Sequence, residues 1–129
     1  MGFRAVVAAE FERRQRQNPR YSLRGFARLL GVHHATLSRL LNGAGPVHPR
    51  TIGALGPRLG LTPSQMTKMV AAEDAVALTA AIRRAAFRPD SRWLASVSGM
   101  SVDRVNIALQ RLLRSGRLQM RSANQWVLN

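Results

Sequence analysis

Two short apolar repeats flank a single glycine between Ser22 and Gly43, and no other stretch of the sequence restricts the fold as strongly. After Ser22, a residue suited to cap a helix, Leu23, Phe26, Ala27 and Leu30 recur at helical spacing. Gly31 ends that helix by the left-handed C-terminal route. Val32 follows, His33 occupies the N-cap position, and His34 to Leu41 form a second helix with Leu37, Leu40 and Leu41 inward. Asn42-Gly43 terminates it. With so little chain between them, the two helices must cross steeply. Ala27 allows the close approach, where a larger side chain would overpack. Gly31 takes a positive φ without penalty, and Leu37 anchors the second helix from below.

The flanking sequence supplies further elements. Phe3, Val6, Val7 and Phe11 predict a helix over residues 3–17, stopped by Asn18-Pro19. Residues 44–49 read as a loop. Pro49 opens a fourth helix, Arg50 to about Leu59, in which Gly56-Pro57 should kink the helix or start it anew. Thr62 caps a fifth helix from about Pro63 to Ala71 or beyond. Beyond it, Ala75 to Phe87 reads as a separate amphipathic helix, broken by Arg88-Pro89-Asp90. Asp90 or Ser91 caps a short helix through Trp93, Leu94 and Val97. Ser101 caps Val102 to Arg114, whose inward face is Val105, Ala108, Leu109 and Leu112. After Ser115-Gly116 the pattern alternates. Leu118 and Met120 face one way with Arg117, Gln119 and Arg121 opposite, and Gln125 to Leu128 form a second strand beyond the Ser122-Ala123-Asn124 turn. The expected fold is mainly α: a five-helix domain over residues 1–72, then a small winged-helix domain with a C-terminal β-hairpin over residues 75–129. No flexible linker separates them, so the two parts are expected to pack together.

Charge points to the partner. Twenty basic residues face six acidic ones across 129 residues, a formal net charge of +14. Such a field favours a polyanion: DNA, RNA or an anionic membrane face. All but Lys68 of the basic residues are arginine, whose rigid donor fork suits phosphates and guanine edges. Genomic base composition can also set the Arg to Lys ratio, but it does not account for the scarcity of acids. Residues 1–68 hold eleven basic and two acidic groups, and residues 69–129 hold nine and four, so the primary contact is expected in the first half. Hydrophobic residues make up 46%, too many for a disordered basic tail. No 18-residue apolar run offers a membrane span. The first ten residues are too short and too soon charged for a signal peptide, which makes the cytoplasm the expected location.

The pattern Ser22-x-x-x-Phe26-Ala27-x-x-Leu30-Gly31, with Leu37 and Asn42-Gly43 downstream, resembles the lambda-repressor-like, or Cro/C1-type, helix-turn-helix family. Leu59-Gly60-Leu61 looks like that family's end of helix four, and the resemblance covers residues 3–71. Residues 18–27 look like the N-terminal region of a group of bacterial helix-turn-helix proteins that continue into a second domain. The resemblance implies a bacterial, nucleoid-associated DNA-binding protein. The helix starting at His34 would lie in the major groove with its first turns nearest the bases. Base-reading candidates are His34, Ala35, Thr36, Ser38 and Arg39. Arg39 suits a bidentate guanine contact or a phosphate clamp, Ala35 a thymine methyl, His34 a base acceptor and Thr36 a phosphate. Phosphate candidates are Arg24, Arg28, Asn42, Gly43 and Arg50, with the Gly43 and Ala44 amides as backbone donors. Against these stand plainer roles: solvated arginines at 24 and 28, and a simple helix cap at Asn42-Gly43.

Residues 76–128 resemble a winged helix-turn-helix, on the caps, leucines and glycine from Met100 to Leu118. Arg104, Arg111, Arg114, Arg117 and Arg121 are its phosphate candidates, while Asp103 at the helix start would repel backbone oxygens. Trp93 and Trp126 read as core or interface residues. Dimerisation or docking is the alternative use of this part.

Catalysis is not expected. The sequence lacks a glycine-rich phosphate loop, an HExxH motif and any cysteine, and its three histidines and six acids form no recognisable constellation. No metal or cofactor is expected: adjacent His33 and His34 diverge on a helix, and His48 has no ligand partner at suitable spacing. The reading is a sequence-specific regulator of transcription that binds double-stranded DNA as a monomer or homodimer. One alternative is an adaptor contacting RNA polymerase or another regulator, for which an apolar patch around Leu78, Trp93 or Val97 would speak. The other is non-specific nucleic-acid binding.

Overall fold

A computed structural model describes residues 2–43, 46–84 and 86–129. Among them lie seven helices and one β-hairpin: α1 Phe3–Gln17, α2 Leu23–Leu30, α3 His34–Asn42, α4 Pro49–Leu55, α5 Pro63–Ile82, α6 Ser91–Ser98, α7 Val102–Arg114, β1 Leu118–Met120 and β2 Trp126–Leu128. The fold is mainly helical with a terminal hairpin, the arrangement of a helix-turn-helix domain followed by a winged extension. The chain divides into two compact units, Met1–Val70 and Ala71–Asn129.

In the first unit Phe3, Val7, Phe26, Ala27, Leu30, Leu37, Val47, Ile52 and Leu55 form one buried cluster. Phe11 stacks on Phe26 at 5.3 Å between ring centroids, sealing the α1 side. Ser22 caps α2 by accepting from the Gly25 amide at 3.0 Å. Gly31, at φ 75, turns the chain out of α2, and the Val32 amide then donates to the Ala27 carbonyl at 3.0 Å. Ala27 is 2% exposed at the α2–α3 contact, where the absence of a longer side chain lets the helices approach.

Gly56-Pro57 does start the chain anew. α4 ends at Leu55 and a 3-10 turn spans Pro57–Leu59. A Cβ on Gly56 would crowd the Ile52 carbonyl oxygen and the Met66 side chain from α5, so the chain packs closely there. Thr62 and Gln65 then form a reciprocal capping box: the Gln65 amide donates to Thr62 Oγ1 at 3.1 Å, and the Thr62 amide to Gln65 Oε1 at 2.8 Å.

Two helices expected on either side of residues 72–74 are one. α5 runs unbroken from Pro63 to Ile82, because Ala71-Ala72-Glu73-Asp74-Ala75 contains neither glycine nor proline to interrupt the ladder. It also ends before Phe87; Ala85, within that expected helix, is outside the described residues, as are Met1 and loop residues Ala44 and Gly45. Phe87 instead lies off the helix, its ring 6.0 Å from Trp93 and 5.3 Å from Trp126 between centroids.

The second unit is built around Ala77, Leu78, Ala81, Ile82, Leu94, Met100, Val105, Ala108, Leu109, Leu112 and Leu118. Asp90, rather than Ser91, caps α6, and Ser101 caps α7. The hairpin is antiparallel, with Leu118 opposite Leu128 and Met120 opposite Trp126. Leu118 is buried, but Met120 is 41% exposed. Their expected common inward face is therefore only half realised, because the three-residue strand runs past the core toward its turn. Leu78 is fully buried, and Trp93 and Val97 are half-buried against the same core.

Candidate nucleic-acid interface

Local capping orients α3. His33 accepts the Ala35 amide on Nδ1 at 3.2 Å, which fixes the first turn and turns the following residues outward. Leu37 is fully buried beneath the helix. Ala35, Thr36 and Arg39 are exposed, and His34 and Ser38 are half-buried. Asn42 donates to Ser38 Oγ at 3.2 Å, so these two side chains are organised as a pair. The α3 end is also fastened to α1: Arg4 Nε donates to the Leu40 carbonyl at 2.5 Å, satisfying one of the orphan acceptors of the last turn.

Between α3 and α4 lies an open depression of about 480 Å³. Its floor is apolar, with Leu37, Val47 and Leu55, and its walls carry Arg4, Thr36, Arg39, His48, Arg50 and Thr51. Three residues named from sequence, Thr36, Arg39 and Arg50, are brought together here. Arg4, His48 and Thr51 were not foreseen. His48 carried a signal of its own, a polar side chain directly before the Pro49 that opens a helix; it caps α4 by accepting the Arg50 amide on Nδ1 at 3.1 Å.

Arg24 and Arg28 are exposed on α2. Partial desolvation, then the Arg24 charge and His33, hold the His34 imidazole below its ordinary pKa. The lowering favours the neutral imidazole, the form that offers both a donor and an acceptor. Gly43 is exposed, while Ala44, named beside it as an amide donor, is outside the described residues.

The candidates in the second unit separate. Arg111, Arg114, Arg117 and Arg121 are exposed. Arg104 stands apart: its guanidinium bonds both oxygens of the buried Asp74 carboxylate on α5, the Nε–Oδ2 contact at 3.4 Å. A guanidinium held this way ties α7 to α5. Asn106 Oδ1 accepts from Ser91 Oγ at 2.7 Å, which joins α7 to α6. Neither contact was visible in the sequence, since partners 30 and 15 positions apart share no local pattern.

Among the described residues no group of three or more histidines and acids could hold a metal ion. Among them also, no helix is long and apolar enough to cross a membrane.

Residues 9–69 match the family model described as "Helix-turn-helix domain". The first unit therefore carries a helix-turn-helix domain, a fold capable of binding DNA. No curated protein and no solved structure matches the chain.

Proposed function

We propose that the protein is a sequence-specific DNA-binding regulator of transcription whose first unit, of Cro/C1 type, reads duplex DNA with α3. The observation that carries this reading is the convergence of Thr36, Arg39 and Arg50 around the α3–α4 depression, on a domain matched by the helix-turn-helix model. In this reading Arg39 reaches a guanine edge or the adjacent phosphate. His34, Ala35 and Ser38 meet base edges from the first turns of α3. Arg24, Arg28, Arg50, Asn42 and the Gly43 amide hold backbone phosphates. The wing arginines Arg117 and Arg121 add non-specific attraction.

Selection of bound duplexes from a random library, near physiological salt and with the purified 129-residue chain, tests the proposal. An enriched motif is the expected result. Salt-sensitive binding with no enriched motif would replace it with non-specific nucleic-acid binding.

A further inference from the structure

The outer face of α7 does not resemble a DNA-reading face. At about 100° per residue, Asp103, Ile107, Gln110 and Arg114 fall in one line opposite the buried Val105, Ala108, Leu109 and Leu112. The residue nearest any incoming phosphate at the helix start is an acid. The middle of the line is Ile107, 50% exposed. Val102 and Leu113, 39% and 38% exposed, lie together on one shoulder of the same helix. Among the described residues, neither Asp103 nor Arg114 has an ion-pair partner within the chain.

This line is complementary to itself when reversed. Asp103 and Arg114 sit at opposite ends, about 16 Å apart along the axis. Two copies of α7 packed antiparallel about a two-fold axis place Asp103 of each against Arg114 of the other. Ile107 then meets the central Ile107 and Gln110 of the partner copy. Parallel packing would instead set Asp103 against Asp103 and Arg114 against Arg114. We propose that α7 is a homodimerisation surface, pairing antiparallel with α7 of a second copy of this chain. Such an interface is isologous, and its two ion pairs select orientation by repelling the wrong one.

Sedimentation equilibrium of the chain, over roughly 1–100 µM, tests it. The wild type is expected to dimerise. Ile107→Glu, Asp103→Arg and Arg114→Asp should each weaken dimerisation at least about tenfold, that is by about 1.4 kcal/mol. Circular dichroism identifies any variant that has lost its fold. The decisive arm mixes Asp103→Arg with Arg114→Asp. Each alone carries two like charges on the line, but the mixture restores both opposite-charge contacts, so a heterodimer should form. A monomeric wild type overturns the proposal, as does a dimer indifferent to these substitutions or a mixture that stays monomeric.

Discussion

α3 and α7 are built by the same local rules and differ in what they show to the outside. Each begins with a side-chain cap, His33 or Ser101, and each is anchored by buried aliphatics below. α3 offers Ala35, Thr36 and Arg39 beside a basic depression. α7 presents Asp103 and Ile107 outward and has Arg104 drawn inward to Asp74. The same scaffold thus supports two kinds of surface. Caps and core spacing determine whether such a helix forms; the outward residues, and the long-range partners that tie some of them down, determine what it can hold.

The harshest way to break the comparison is to remove an anchor. Leu37→Ala should cost about 2–5 kcal/mol of folding stability and take DNA binding with it. Leu109→Ala should cost a similar amount in the second unit while leaving the α3 surface in place; denaturant melts and a binding titration on each variant check both. Arg104→Ala sharpens the contrast. It should lower stability by about 1–3 kcal/mol, because the buried Asp74 loses its partner, with little change in DNA affinity. Arg39→Ala should do the reverse, costing about 1–3 kcal/mol in binding and relaxing selectivity at one base pair, with an unchanged melt. A loss shared equally by all sequences would reassign Arg39 to phosphate.

The smallest effect concerns a purely local pair. Arg13 and Arg14 bond the Glu10 carboxylate on α1 at 2.7 and 2.8 Å. Chiefly through the Arg13 hydrogen bond, its pKa is lowered from 4.5 to about 2. A depressed carboxylate pKa stabilises the fold above the unfolded value and loses that contribution as pH falls through the folded one. Glu10→Gln should therefore melt lower than wild type by under about 1 kcal/mol at pH 6, and the gap should close near pH 2.

Most of the helices were legible because caps and breakers are local. Ser22, Gly31, Thr62 and Ser101 mark helix ends in the sequence and do so in the structure. Illegible features depended on distance or on an absent signal. α5 is illegible as one helix because the texture of the sequence changes near residue 72, although no breaker residue stands there. The Asp74–Arg104 pair and the Arg4–Leu40 contact join elements far apart in the chain, so charge alone could not pair them. Of the interface, Thr36, Arg39 and Arg50 were legible as exposed positions of α3 and α4. The depression that gathers them was not, since its floor comes from three separate segments.

The histidine caps carry a consequence for proton placement. His33 and His48 both accept a backbone amide on Nδ1. An imidazole nitrogen that accepts cannot also hold the proton, so each neutral ring is locked as the Nε2–H tautomer. The remaining N–H of each ring is then a neutral donor, fixed in kind by the helix start it caps. Nitrogen NMR shifts of these two rings should carry the signature of that one tautomer.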